Sequence, residues 1–228
     1  GYGSARILDK LDYDYIASHP KLVVGFSDVT ALQTALWEKC RLVTANGPLM
    51  VTLVGSDAYT AGQFFQGLTT AAWQGPLALP AGRKLTTVVP GQAEGPIVGG
   101  NLTVLTSLVG TPYALDGTGC ILVLEDTGED AYRIDRMLNQ LWQSGLLSRV
   151  AAIAYGDFTD CPNDPGDFTT DQVLDYYAHL AGKPAIKGLP VGHTKDKAFV
   201  PYGVKVRLDA DREGASLTFI DVCGLRPL

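Results

Sequence analysis

Histidine is scarce in this 228-residue chain: three copies occur, and no two form an H-E-x-x-H or H-x-H pair. Such spacings are what metal-dependent hydrolysis needs, so neither a metal nor any other cofactor is expected. The four cysteines, Cys40, Cys120, Cys161 and Cys223, are scattered, with no C-x-x-C among them. That pattern excludes a zinc ribbon and a disulfide framework, and predicts reduced thiols in a cytoplasmic protein. No apolar run approaches the roughly 20 residues of a membrane span, and no signal-peptide pattern is found. The abrupt opening at Gly1-Tyr2-Gly3 limits what the N-terminus says about targeting. Positive charge is also short, 18 Lys and Arg against 24 Asp and Glu, for a formal net charge of −6. Nucleic acid and anionic membrane are therefore not expected as partners. Internal repeats and low-complexity segments are absent.

What is present is an ordinary globular composition, 46% apolar and 18% charged, enough for a substantial core. The chain is organised around Lys21-Leu22-Val23-Val24-Gly25-Phe26-Ser27-Asp28-Val29-Thr30 and the ten residues after it. Leu22, Val23 and Val24 form a continuous apolar run, as in a parallel strand covered on both faces. A turn carrying Ser27 follows, and then helical spacing from Val29 to Cys40. A serine at such a junction is presented above the carboxyl edge of a sheet, with helix N–H groups behind it. This is the logic of a nucleophile elbow, with Val29 in place of the second glycine of G-x-S-x-G. The alternative is that Ser27 only caps the helix.

Elsewhere, helical turns are expected over residues 5–11 and 12–19, a strand over 42–44, and a helix from Ser56 or Asp57 to about Gly67. Residues 68–84, with Gly75-Pro76 and Pro80-Ala81-Gly82, read as a connector. Strands are then predicted over 85–89, 95–101, 120–124, 150–155 and 186–191. Helices are predicted from 102 to 109, over 132–144, closed by Gly145, and over 169–180. Residues 158–167 read as a polar loop, while 204–208 and 216–220 suit an antiparallel pair joined through 209–215. The fold class expected is α/β: a partial parallel-sheet N-terminal domain (1–75), a linker (76–84), and a mixed α/β C-terminal domain (85–228). The active site is placed in the cleft between them.

Three predicted strands run out onto reactive side chains: Ser27, Glu125 after Leu124, and His193 after Gly192. Serine needs a base to become a nucleophile at neutral pH, and the base needs an acceptor to fix its tautomer. Taken alone, one of each at strand ends is only suggestive. The surrounding words are more specific. Gly1-Tyr2-Gly3-Ser4-Ala5-Arg6, Val24-Gly25-Phe26-Ser27-Asp28-Val29-Thr30, Gly99-Gly100-Asn101-Leu102, Leu124-Glu125-Asp126 with Tyr132-Arg133-Ile134-Asp135-Arg136, and Val191-Gly192-His193 occur in that order. Together they resemble the LD-carboxypeptidase family of serine peptidases (peptidase family S66), which also contains the microcin C immunity proteins.

The resemblance covers almost the whole chain. It implies a metal-free Ser-Glu-His triad cleaving a bond between an L- and a D-residue, with Ser27 as nucleophile, Glu125 as acid and His193 as base. The implied reaction releases terminal D-alanine from muropeptide tetrapeptides during peptidoglycan recycling. A microcin-immunity hydrolase of aminoacyl-nucleotide mimics and a non-catalytic muropeptide-binding protein are the alternatives; a homodimer is expected. In the family the glycine-rich opening comes well into the N-terminal domain, so the resemblance implies several tens of further residues ahead of it. Glu129 rivals Glu125 for the acid role, but Glu125 ends the buried strand directly.

The backbone N–H of Asp28 is the expected first oxyanion donor, and Gly1 or Tyr2 the second. The Asp28 carboxylate is expected to be structural, at the helix N-terminus. A terminal substrate carboxylate calls for a cation, with Arg133, Arg136, Lys195 and Lys197 as candidates. Arg133 could instead pair with Glu129, and Asn101 could bind substrate or cap the next helix. His19 and His179 read as structural.

Overall fold

The computed structural model describes residues 1–69, 74–211 and 214–220. Cys223 lies outside them, as do residues 70–73 of the expected connector and 212–213 of the last turn. The chain opens with a 3-10 helix, Ser4–Lys10, and α1 (Tyr13–Ser18), which Asp12 caps by accepting the Tyr15 N–H. Strand β1 (Val24–Gly25) is only two residues long, and α2 (Val29–Cys40) starts four residues later. Next come β2 (Thr44–Asn46), α3 (Met50–Leu53), and α4 (Ala58–Thr69), where Asp57 accepts the Thr60 N–H. The second part contains β3 (Gly75–Pro76), β4 (Thr86–Val89), β5 (Gly91–Asn101), α5 (Leu102–Ser107) and β6 (Ile121–Thr127). It continues through α6 (Ala131–Gln143), α7 (Leu146–Arg149), β7 (Ala152–Thr159), α8 (Thr170–Ala181) and β8 (Ala185–Lys187). The last elements are β9 (Val200–Tyr202), β10 (Lys205–Ala210) and β11 (Ala215–Phe219).

The strands form a three-stranded sheet, β1-β2-β9, and an eight-stranded sheet, β3-β11-β10-β5-β6-β7-β8-β4. This is the mixed α/β class expected. In the large sheet β5 to β8 run parallel, and the antiparallel pair β10–β11 extends it on one side. Both faces of its centre are covered. On β6, Ile121 and Val123 join one apolar cluster, while Leu122 and Leu124 join the other, under α6 and α8. That two-sided burial is why the strand reads as an unbroken apolar run. β9, from late in the chain, pairs antiparallel with β2, so the small sheet draws on both ends of the sequence.

Helix α2 differs from an ordinary amphipathic helix, because its small and polar residues Thr30, Ala31, Thr34 and Ala35 are buried. Small side chains let it press against the end of β5. The Thr30 hydroxyl accepts the Asn101 N–H at 3.0 Å, and any Cβ on Gly100 would collide with that hydroxyl. Gly100 also sits at φ +138°, where L side chains are strained, so the position suits glycine on both counts. This contact docks the serine-bearing helix onto the large sheet.

Three expectations need correction. The strand expected over 186–191 stops at Lys187, so His193 does not end a strand. Gly188 (φ +92°) turns the chain out of β8. Residues 189–198 then run as an irregular segment held by Leu189 N–H to Tyr155 O, Asp157 N–H to Val191 O and Ala198 N–H to Pro190 O. Glu125 is not the last residue of its strand either, since β6 continues to Thr127. It lies opposite a bulge in β7, where the register slips between the Leu124–Tyr155 and Asp126–Phe158 pairs. The loop expected from 158 begins two residues later, after Thr159.

Candidate active site

Ser27 occupies the tight corner between β1 and α2 with φ +63°, a left-handed conformation rare for a residue with a side chain. The corner is over-determined. Val29, Thr30 and Ala31 donate their N–H groups to the carbonyls of Phe26, Ser27 and Asp28. Buried Gln33 donates to the carbonyls of Gly25 and Ala45, tying β1 to β2 beneath the turn. The Asp28 side chain makes no cap bond to its own helix. Its Oδ2 instead accepts the Ser4 N–H and hydroxyl, at 2.9 and 2.7 Å, and so pins the glycine-rich opening against the elbow. Gly1 is held close to the same side chain, for a Cβ built on it would lie 3.6 Å from the Asp28 Cβ.

His193 stands between the two sheets. Its Nε2 lies 3.1 Å from Ser27 Oγ and its Nδ1 2.9 Å from Glu125 Oε2. With the proton on Nδ1, the ring donates to the carboxylate and leaves Nε2 to accept from the serine hydroxyl. The Thr159 hydroxyl fixes the segment by donating to the His193 carbonyl, and the Phe26 ring meets the imidazole edge-on at 5.0 Å. Glu125 is 0% exposed, whereas the His193 side chain keeps 25% of its surface. The glutamate is thus sealed in the sheet, whereas the histidine remains partly open to solvent. Gly192 (φ +116°) makes this closeness possible, since a Cβ there would fall 2.6 Å from Glu125 Oε2.

Adjacent Asp126 has a different role. Its carboxylate accepts from Asn101 Nδ2, from the N–H and hydroxyl of Thr103 and from its own neighbour's N–H at Thr127, so every contact is local and structural. Glu129 pairs with Arg133 at 3.6 Å.

The other candidates are engaged otherwise. Asn101 is buried, caps α5 through the Val104 N–H and donates to Asp126. Arg133 bridges Glu129 and Asp130 and donates to the Tyr132 hydroxyl. Arg136 lies over the Tyr132 ring. Lys195 is exposed, and its carbonyl accepts from Thr60. Among the described residues no hydrogen bond or ion pair joins Asn101, Arg133 or Lys195 to Ser27, Glu125 or His193.

Lys197 is placed differently. Its ammonium lies 5.0 Å from the centre of the Phe26 ring, beside the residue preceding Ser27, and donates to the Thr194 carbonyl. Burial lowers its pKa, opposed by the negative charges of Glu125, Asp157, Asp196 and Asp57. A half-buried cation at the cleft can pair with an incoming carboxylate more strongly than one in open solvent. Arg83 reaches from the connector to Asp157 at 2.5 Å and to the carbonyls of Gly188 and Leu189, and so ties down the start of the segment that carries His193. Lys197 was one of four candidate cations, whereas nothing local in the sequence marks Arg83. The Gly before His193, by contrast, was a usable signal of close approach.

Among the described residues no group of three or more His, Cys, Asp or Glu side chains could hold a metal ion, and no helix is long and apolar enough to cross a membrane. The thiols of Cys40, Cys120 and Cys161 are unpaired and all pushed up, chiefly by burial, Cys120 to about 11. They are poor nucleophiles at neutral pH.

Fold and constellation together define a class: an α/β protein with serine, histidine and glutamate in hydrogen-bonded series where two sheets meet. The sequence places it within that class. Residues 1–47 match the LD-carboxypeptidase N-terminal domain and residues 94–208 the LD-carboxypeptidase C-terminal domain. A probable murein peptide carboxypeptidase of Bacillus subtilis is 39% identical over 94% of this chain and 68% of its own length. The crystal structure of muramoyltetrapeptide carboxypeptidase from Oxalobacter formigenes superposes with a TM-score of 0.83 at 32% identity, over 97% of this chain and 76% of that one. The microcin C7 self-immunity protein MccF of Escherichia coli is 29% identical over 96% of this chain and 71% of its own. The chain belongs to the LD-carboxypeptidase family.

Proposed function

We propose that this protein is a serine carboxypeptidase that hydrolyses an L,D-peptide bond and releases the terminal D-alanine of murein tetrapeptides. The observation that carries the reading is the unbroken series Ser27 Oγ, His193 Nε2, His193 Nδ1 and Glu125 Oε2, with separations of 3.1 and 2.9 Å. Murein peptides as substrate rest on the relatives' names.

In this reading His193 takes the hydroxyl proton as Ser27 Oγ bonds to the scissile carbonyl carbon. The oxyanion is met by the Asp28 N–H, which is not spent in the ladder of the first turn, and by a donor from the Gly1-Tyr2 segment that Asp28 itself holds in place. Collapse of the tetrahedral species breaks the C–N bond, and His193 returns the proton to the leaving amine. Water, deprotonated by the same imidazole, then releases the acyl group from Ser27. Glu125 keeps the Nδ1–H tautomer and stabilises the imidazolium without taking the proton. Lys197 pairs with the carboxylate of the departing residue, a role that a carboxypeptidase requires and an endopeptidase does not.

The test is D-alanine release from a purified murein tetrapeptide, followed by mass spectrometry, for the wild type and Ser27→Ala. Loss of a triad nucleophile typically costs on the order of 10⁴ to 10⁶ in kcat. A variant retaining more than about a tenth of wild-type turnover would remove the serine mechanism. Faster turnover of an aminoacyl-sulfamoyl nucleotide than of the tetrapeptide would move the assignment to the immunity-type reaction.

A further inference from the structure

Among the described residues, the buried polar atoms with no partner within hydrogen-bonding distance include these four: Gln33 Oε1, Asn46 Nδ2, the Tyr202 hydroxyl and Glu125 Oε1. They are not scattered. Thr44 pairs with Tyr202 and Asn46 with Val200 in the β2–β9 ladder, so Asn46 and Tyr202 project from the same face as diagonal neighbours. Gln33 and Tyr202 line one small cavity of about 10 Å³, together with Val98 and Gly99 of β5. Glu125 sits on β6 directly across from Asn101, two residues beyond Gly99.

Unpartnered buried polar groups are costly, and a carboxylate that is fully buried with only one oxygen bonded costs most. The four atoms also alternate in the right chemical sense. Gln33 Oε1 accepts, the Asn46 amide has two hydrogens to give, the phenol accepts one and donates its own, and Glu125 Oε1 accepts. We infer that Tyr202 is a positioning residue for the acid: its hydroxyl, beside Asn46, donates to Glu125 Oε1 through one water, and so locks the carboxylate for His193. The cavity is at the lower limit of what one water needs. The phenol's pKa is raised well above its ordinary value, by burial first and then by the charge of Glu125, while the neighbouring Asn46 amide acts in the opposite sense. The chain of groups would run from Gln33, which holds the strand beneath Ser27, to the acid on the other sheet. Nucleophile and acid are thereby set relative to each other across the boundary between the sheets.

The inference rests on the Ser27-His193-Glu125 reading, and the experiment separates the two. Tyr202→Phe removes one hydroxyl and keeps the ring. Expected is a loss of roughly ten- to a hundred-fold in kcat with KM within about twofold, the range seen when groups that orient a functional ligand are removed. The low-field proton NMR resonance of the His193–Glu125 hydrogen bond, recorded without substrate, should shift or broaden. Tyr155→Phe is the control, because that phenol is equally buried but donates to the Leu174 carbonyl; it should leave the resonance in place. A Tyr202→Phe protein with wild-type kcat and an unmoved resonance overturns this inference alone. A wild type with neither hydrolysis nor the low-field proton overturns it together with the proposed function.

Discussion

Ser27 and Glu125 each follow an apolar run, yet the chain holds them in opposite ways. The serine leaves a two-residue strand in a three-stranded sheet and is fixed by a left-handed corner, a helix N-terminus and a carboxylate clamp on the opening segment. The glutamate lies within a seven-residue strand in the middle of an eight-stranded sheet, with apolar clusters on both faces. In the proposed mechanism a nucleophile must be presented to substrate, which suits the half-buried corner of Ser27, whose strain other contacts restrain. An acid that only orients the base can be sealed away, and its precision comes from strands that cannot move independently. Damage to the two sides should therefore differ in kind: chemistry alone fails at the corner, whereas geometry fails in the sheet.

The sharpest test of the sealed side is Glu125→Gln beside Glu129→Gln. The amide at 125 cannot stabilise the imidazolium, and kcat should fall by roughly 10³ or more with the fold retained. The change at 129 removes only a surface pair with Arg133, worth about 1 kcal/mol or less, and should leave turnover near wild type. Reversed results would transfer the acid role to Glu129. Gly192→Ala comes next. It adds a methyl 2.6 Å from the bonded oxygen of Glu125 and forces φ +116° on an L residue. A displacement of about 1 Å in a catalytic group can cost on the order of 10² in rate. Thermal unfolding should fall with it, because positive φ costs about 1 to 3 kcal/mol. Unchanged kcat in that variant would show that the sheet tolerates movement of the acid.

On the corner side, Lys197→Met keeps the stem over Phe26 and removes the charge. Loss of a charge-assisted contact of about 1.5 to 3 kcal/mol predicts a KM raised roughly ten- to a hundred-fold, with kcat much less affected. Lys195→Met should change KM less than about twofold, since that side chain is exposed. Equal effects of the two would mean that general positive charge, rather than a placed cation, draws the substrate.

The same contrast explains what could be read in the sequence. The elbow is a local object: a strand, a corner and a helix within twenty residues, each with its own periodicity. The β6 run is equally plain, because burial on both faces leaves an unbroken stretch of apolar residues. His193 is harder. Its segment is held by bonds to β7 and to its own neighbours rather than by a ladder, so no periodicity marks it, and an expected strand turned out to end at Lys187. Asn101 illustrates a polar residue whose two readings, ligand contact and helix cap, have the same sequence signature; only its bonds to Val104 and Asp126 separate them. Lys197 could be named as one of four candidate cations, but only its approach to Phe26 separates it from the others, and Tyr202, nine residues beyond the histidine, acquires its place through tertiary approach alone.

The smallest effect expected concerns the loop that carries the base. Asp196, three residues after His193, lies within hydrogen-bonding reach of Asp57 at the N-terminus of α4, and the Thr60 hydroxyl between them accepts the Lys197 N–H. The shared hydrogen bond raises the pKa of Asp196 and, with the Thr60 N–H, lowers that of Asp57. Asp57 thus contributes stability that is present above the ordinary aspartate value and lost as pH falls through its depressed pKa. Asp196 contributes stability that is present below the ordinary value and lost as pH rises through its raised pKa. The clasp is tightest in the window between the two and loosest at neutral pH, where both groups are charged. Asp196→Asn supplies the donor at every pH and removes the repulsion. It should raise the unfolding temperature at pH 7 by at most about 2 °C, since both groups keep part of their surface in solvent. That gain should shrink as the pH is lowered into the ordinary aspartate range, because the pKa of Asp196 is raised. A gain of the same size at pH 7 and in that range would mean that the two carboxyls do not share a proton, and that the loop is anchored through Thr60 alone.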